Sequence, residues 1–286
     1  MKISYNGMWP AFDVNNNWFN YLFMQYFNDD NIEFSHDHNN ADITLSSVFG
    51  PPADTKNRKI FFTGESRINS YTDDQLLVGC VSNSNNSFRL PLWYIYINWW
   101  KDKFYPEHRV AGDVYSIDID FLCSPRDNNY INEVISRPFF ACAVVSNNTQ
   151  PRMDAISYLS TIDKIDGYGA AFGNYYDGLK TNILENYKFN LCFENTIHPD
   201  YVTEKLLEAQ ISGCIPIYYG DNSVDLDFNP KSFINYNKFN SMQELAETIK
   251  SINSSRDAMG EIIAEPKFLE RPSLDGIFNF FDRVGL

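Results

Sequence analysis

Basic charge is scarce in this chain: 23 lysines and arginines stand against 37 aspartates and glutamates in 286 residues, a net charge of −14. Contacts to a phosphate backbone need clustered cations that displace counterions, so the balance argues against nucleic acid as a partner. A small anionic ligand is still compatible, provided a few basic side chains and helix N-termini create local positive potential. Long apolar runs are also missing. No stretch approaches the roughly 18 apolar residues of a membrane span, and the opening MKISYNGMWPAFDV has neither the apolar region nor the small-residue cleavage site of a signal peptide. No integral membrane segment and a soluble, cytoplasmic protein are therefore expected. Cysteine is sparse and odd in number, with Cys80, Cys123, Cys142, Cys192 and Cys214 showing no C-x-x-C spacing. They read as reduced thiols, three of them inside apolar runs. There is no internal repeat, and low complexity is confined to short asparagine clusters such as Asn15 to Asn17.

What is present is a large apolar inventory, 44% of the chain, with 23 Phe, 18 Tyr and 5 Trp. That is enough for one large core or two medium ones and excludes a disordered or fibrous chain. The first half opens with a short strand, Lys2 to Tyr5, and a helix at about Trp18 to Phe27. Short apolar runs follow at Asp42 to Leu45, Ile60 to Thr63 and Gln75 to Cys80, separated by turn residues. Leu90 to Trp100, LPLWYIYINWW, reads equally as strand, helix or a sugar-facing wall.

From Arg137 the pattern sharpens. Phe139 to Val145 is a continuous apolar run, as in a strand covered on both faces. It enters the polar loop Ser146 to Gln150, and Pro151 then suits the first turn of a helix running to about Leu159. Lys164 to Gly167 is the next short strand. A second unit repeats the order: strand Lys188 to Phe193, loop Glu194 to Asp200, Thr203 as candidate N-cap, helix Glu204 to Ser212, a stop at Gly213 and strand Ile215 to Tyr219. Short connections of this kind favour right-handed parallel crossovers. Ser241-x-x-Glu244 is a capping box before another helix, and Ser273 precedes a last one. The fold class is α/β.

In open α/β sheets ligands bind beyond the carboxyl ends of the strands, where helix N-termini expose N–H groups. Arg152 and Lys205 each lie in the first turn of such a helix, placed to converge on one pyrophosphate. Either one, taken singly, reads more readily as a solvated surface charge, the commoner fate of a lysine or arginine. Glu204 and Lys205 diverge by about 100° on a helix, so they address different atoms. Lys205 to phosphate and Glu204 to a sugar hydroxyl is one division; a Glu204 that only complements the helix dipole is the other.

The stretch YKFNLCFENTIHPDYVTEKLLEAQISGCIPIYYGD (Tyr187 to Asp221), with FTGES (Phe62 to Ser66), AVVSNN (Ala143 to Asn148) and DFNPKSFIN (Asp227 to Asn235), resembles the α-1,3/4-fucosyltransferases of glycosyltransferase family 10. The resemblance is collinear from about Ile60 to Ile252 and is carried mainly by the FEN and TEK block. It implies a GT-B fold, two Rossmann-like domains facing across a cleft: 1–136 for the glycan acceptor, 137–264 for GDP-fucose, and a C-terminal helix at about 265–286 that packs back on the first. By the same resemblance Glu65 is the general base, Arg152 and Lys205 meet the GDP phosphates, Glu204 lies near the fucose, and Asn195 and Tyr201 make further donor contacts. Ser146 and Asn147 are candidate donor-loop residues. The implied reaction is inverting transfer of L-fucose to the 3-hydroxyl, or alternatively the 4-hydroxyl, of GlcNAc in N-acetyllactosamine-type glycans, in protein or lipopolysaccharide glycan synthesis. No cofactor is expected, a divalent ion being at most stimulatory. Asp166 to Asn174 carries no arginine where many members have a basic element, which implies a less cationic donor site.

Rival readings use the same residues differently. A GT-B enzyme for another nucleotide-sugar would keep the phosphate residues and change the sugar pocket. A carbohydrate-binding module would use the aromatics but not paired cations at helix starts. A glycosidase would need two flanking carboxylates, for which Glu65 and Glu204 are available, but would leave the phosphate residues idle. The D-x-D spacings at Asp118 to Asp120 and Asp225 to Asp227 are assigned no metal, because such spacing arises easily among 37 acidic residues, and neither is the His36-Asp37-His38 triplet, because no further ligand pattern accompanies it.

Overall fold

The computed structural model describes residues 1–69, 71–100, 117 and 119–286, with the backbone of 108–110 and 113–115. The chain forms two compact units, one of Met1–Ile119, His198–Val202 and Pro272–Leu286, the other of Asp120–Ile197 and Thr203–Arg271.

The first unit is built on six strands, β1 (Lys2–Asn6), β2 (Glu33–Ser35), β3 (Ile43–Ser46), β4 (Arg58–Thr63), β5 (Leu76–Gly79) and β6 (Ser87–Arg89). They lie in the order β2-β1-β3-β4-β5-β6, and every pairing is parallel. Consecutive buried side chains, such as Ile60, Phe61 and Phe62 on β4, show that both faces are covered. One cover is α1 (Trp18–Phe27), which starts where the Asn17 side chain accepts from the Asn20 N–H and buries Trp18, Phe19, Leu22 and Phe23 as one stripe. Phe19 meets Phe62 edge to face with ring centroids 4.9 Å apart. The aromatic segment Leu90 to Trp100 forms a 3₁₀ turn over Leu92–Tyr96, with Trp93, Ile95, Tyr96, Ile97 and Trp100 buried. Those rings are core rather than a sugar-facing wall. An antiparallel pair, β7 (His108–Val110) and β8 (Asp113–Tyr115), follows.

In the second unit α2 (Ile119–Cys123) and α3 (Asn128–Ile135) precede β9 (Phe139–Val144), α4 (Arg152–Leu159), β10 (Ile165–Tyr168), α5 (Lys180–Leu184) and β11 (Tyr187–Phe193). Then come α6 (Lys205–Ile211), β12 (Ile215–Tyr219), α7 (Val224–Asp227), β13 (Ile234–Asn235), α8 (Met242–Asn253) and α9 (Arg256–Ala264). The sheet order is β10-β9-β11-β12-β13, again parallel throughout. Ala141, Ala143, Phe189, Leu191, Ile215 and Ile217 from the strands share one buried cluster with Leu159, Leu245 and Ile249 from the helices. Ser241 caps α8 as its capping box requires, accepting from the Glu244 N–H, while the Glu244 carboxylate accepts from the N–H of Asn240 rather than of Ser241.

The units divide between Ile119 and Asp120, ahead of the 136/137 boundary read from the sequence, because α3 packs on α9 and β11. The last helix, α10 (Asp275–Val284), groups with the first unit: Phe281 stacks on Phe23, and the Tyr26 hydroxyl donates to Asp282 at 2.9 Å. No helix among the described residues is long and apolar enough to cross a membrane.

Candidate active site

At the carboxyl ends of β9 and β11 the chain turns into α4 and α6, and each helix brings a cation with it. Arg152 opens α4 and is only 4% exposed. Its guanidinium donates to the Asn147 carbonyl at 2.9 Å, to the Phe193 carbonyl, and to the Asn195 side-chain oxygen at 2.9 Å. A buried guanidinium with its donors in a fixed fork is held in one orientation, which a solvated surface arginine is not. Asn147 joins the arrangement through its backbone, and Ser146 and Asn147 are exposed beside it.

Lys205 opens α6, and its ammonium donates to the Glu194 carboxylate at 2.9 Å and to the Thr203 hydroxyl at 2.8 Å. The tripeptide Phe193-Glu194-Asn195 therefore joins the two cations, its outer members accepting from Arg152 and its central carboxylate from Lys205. Glu194 was not singled out by sequence reasoning. Its buried carboxylate also accepts from the Thr203 N–H at 2.8 Å and the Thr203 hydroxyl at 2.8 Å. This corrects the N-cap assignment. The hydroxyl of Thr203 turns to Glu194, and the residue at the cap is Glu204, already in helical conformation and without a side-chain cap bond. A charged acceptor offers Thr203 a stronger bond than the neutral cap would. The signal available in the sequence was a glutamate directly after an apolar strand.

Glu204 is half-buried, 3.6 Å from the Lys205 ammonium. Burial by itself pushes its carboxyl up, but Lys205 and Lys180, aided by Thr203, outweigh that and hold it below the ordinary glutamate range. Lys180 pairs with the buried Glu208, and although burial pushes its ammonium down, Glu208 and Glu204 hold it above the usual lysine range. Glu204 is thus a carboxylate acceptor at neutral pH, and Lys180 stays charged. The segment without arginine, from Asp166, contains β10 and a 3₁₀ turn, and Asp166 accepts there from the Tyr187 hydroxyl at 2.9 Å.

In the first unit Glu65 follows β4 in a tight turn. The Thr63 hydroxyl accepts from the Glu65 N–H at 3.1 Å and donates to the Glu65 and Arg67 carbonyls, each at 2.9 Å. Gly64 leaves room for Leu92, whose methyl would lie 2.4 Å from any Cβ at that position. Among the described residues, Glu65 makes these bonds through its backbone, and its side chain is half-buried. Tyr201 is buried in the same unit, its N–H donating to the His198 carbonyl at 3.0 Å.

The other carboxylate and imidazole patterns have structural partners. Asp225 pairs with Lys238 at 2.7 Å, and Asp120 with Arg271, while Asp118 lies outside the described residues. His36 lies 3.2 Å from the Tyr5 carbonyl, and His38 lies 3.2 Å from the Ser4 hydroxyl. All five cysteines are free thiols; four are buried, and Cys123 is half-buried.

Residues 134–262 match the glycosyltransferase family 10 (fucosyltransferase) C-terminal domain. An α-(1,3)-fucosyltransferase FucT of Helicobacter pylori is 29% identical over 270 residues, 86% of this chain and 56% of the relative. A 4-galactosyl-N-acetylglucosaminide 3-α-L-fucosyltransferase 9 of Mus musculus is 36% identical over 134 residues, 45% of this chain and 37% of the relative. The chain thus spans about half the length, or less, of these curated relatives. The crystal structure of an α1,3-fucosyltransferase with GDP-fucose aligns with a TM-score of 0.71 at 24% identity, over 99% of this chain and 90% of that one. The fold is GT-B, with two α/β domains each built on a parallel sheet.

Proposed function

We propose that the protein is an inverting α-1,3-fucosyltransferase that moves L-fucose from GDP-fucose to the 3-hydroxyl of GlcNAc in N-acetyllactosamine-type glycans, with the 4-hydroxyl as the alternative acceptor. One observation carries the reading: in a family 10 domain, a single tripeptide at the end of β11 joins two cations at the starts of α4 and α6. In this reading the second unit takes the donor and the first takes the acceptor glycan.

Arg152 and Lys205 meet the diphosphate, supported by the N–H groups of their helix starts. Glu204, held ionised, accepts from a fucose hydroxyl. Asn195 and Tyr201 complete the donor contacts, with Ser146 and Asn147 on the donor loop. Glu65 removes the proton from the acceptor hydroxyl as that oxygen bonds to the anomeric carbon. The bond from that carbon to the phosphate oxygen breaks on the opposite side, the diphosphate leaves with the electron pair, and β-linked GDP-fucose yields an α-fucoside. The cations stabilise the leaving group's growing charge, so no metal is required and a divalent ion is at most stimulatory. The five free thiols support a reducing, cytoplasmic compartment.

Incubating the purified protein with GDP-fucose, other GDP-sugars and UDP-sugars against a panel of glycans tests the proposal. Turnover with GDP-fucose and lactosamine-type acceptors is expected. Turnover only with a non-fucose donor would establish the rival GT-B reading.

A further inference from the structure

We infer that Phe49 and Arg67 form the subsite for the sugar that neighbours the attacked GlcNAc, the galactose of an N-acetyllactosamine acceptor; the inference rests on the function proposed above.

Phe49, like Phe121 and Phe139, is exposed (44%), and its loop is firmly seated. The Ser47 N–H donates to the Asn6 carbonyl, the Phe49 N–H donates to the Gly7 carbonyl at 3.0 Å, and the Asn6 side chain donates to the Pro51 carbonyl at 2.7 Å. Gly7 and Gly50 allow the two backbones to meet, since a Cβ on Gly50 would stand 2.7 Å from the Gly7 Cα. The loop after β3 is thereby pinned to the loop after β1. β4 pairs with β3 on the other side, and the turn at its carboxyl end carries Glu65 and Arg67. Thr63 pins that turn at both residues, and the Arg67 guanidinium lies over the Phe49 ring, 5.7 Å from its centroid. An exposed aromatic ring and a guanidinium thus stand on two seated loops, beside the turn that carries the proposed base.

That combination suits a sugar ring. A galactopyranose presents the hydrogens of C3, C4 and C5 on one face, an apolar patch that packs on an aromatic ring, while its hydroxyls accept from guanidinium N–H groups. Seating the ring before binding lowers the ordering cost of a weak ligand. The pair contributes no charge to the reacting atoms, so it acts as a specificity and positioning element rather than as catalytic residues.

Two measurements on wild type, Phe49→Ala, Phe49→Trp and Arg67→Ala test this. Binding of N-acetyllactosamine and of GlcNAc glycoside in the presence of GDP, followed by NMR titration, reads the subsite without turnover. The ratio of kcat/KM for the two acceptors with GDP-fucose reads it in the reaction. The wild type is expected to prefer the disaccharide, Phe49→Ala to lose about tenfold of that preference in both ratios, Arg67→Ala to lose several-fold, and Phe49→Trp to keep it. A wild type that does not prefer the disaccharide, or a Phe49→Ala variant that keeps the preference, overturns the inference. Absence of fucose transfer by the wild type would instead defeat the proposed function, and the titration would still decide the subsite.

Discussion

Replacing Glu194 by glutamine keeps the size of the side chain and removes the charge to which α6 is anchored. The carboxylate is buried and accepts from the Lys205 ammonium, the Thr203 N–H and the Thr203 hydroxyl. In the variant an NH₂ group must stand where an oxygen now accepts, facing either the ammonium or the Thr203 N–H. A charge-assisted hydrogen bond contributes about 1.5 to 3 kcal/mol, and removing one partner of a buried pair costs about 3 to 5 kcal/mol. Lys205 retains some solvent access, its side chain being 17% exposed, which lowers the cost to about 2 to 4 kcal/mol. The assay is urea unfolding with and without saturating GDP. Stability without ligand should fall by that amount. GDP should stabilise the variant more than the wild type, because an ammonium released from Glu194 is more available to the diphosphate. A loss below about 1 kcal/mol together with an unchanged GDP increment would refute the assignment of Glu194 as the anchor of Lys205.

Glu65→Gln should lower turnover by about 10² to 10⁴ while GDP affinity by calorimetry stays near that of the wild type; loss of GDP binding would move Glu65 to the donor site. Arg152→Ala and Lys205→Ala should each weaken GDP binding by roughly ten- to a hundredfold and lower the rate further, since leaving-group charge grows toward the transition state. Activity should survive EDTA, and a strict, reversible requirement for a divalent ion would defeat the cation-only mechanism. Burial and the nearby Arg126 push the Lys267 ammonium down to about 7. Its protonated form is therefore penalised in the fold: the cost, up to about 5 kcal/mol, is fully present below pH 7 and disappears as pH rises from about 7 to 10.5. Lys267→Met should stabilise the protein near pH 7, with the advantage shrinking toward pH 10 in thermal or urea unfolding; a difference independent of pH would contradict this.

Elements whose cause lies within a few residues were legible in the sequence. Asn17 before the Trp18, Phe19, Leu22 and Phe23 stripe specifies α1, and Pro151 before Arg152 marks the start of α4. The run Phe139 to Val145 announces a strand buried on both faces because parallel strands take helices on each side. The division between units was less legible. α3 has its own cap at Asp127, and only its packing on α9, distant in sequence, assigns it to the second unit. The segment Leu90 to Trp100 carried no decisive period, and its burial came from tertiary packing.

The same distinction of range governs the candidate site. Arg152 and Lys205 could be found because a basic residue in the first turn after a strand is a local pattern with a known electrostatic consequence. Thr203 was misassigned because residue type suggests a cap, whereas its true partner is a carboxylate nine positions earlier that must be buried before it competes. Glu194 stayed hidden for the complementary reason: a glutamate after a strand is ordinary until the fold removes it from water, and then its choice of partners decides where Lys205 can reach. The pairing of Phe49 with Arg67 is further from view still, since it depends on β3 and β4 being neighbours and on which of the chain's 23 phenylalanines stay exposed. Phosphate recognition concentrates charge at helix starts, a pattern short enough to read along the chain. Recognition of a neutral sugar draws on aromatic and polar groups from separate loops, so a subsite of the kind proposed for Phe49 and Arg67 becomes visible only when the sheet sets those loops side by side.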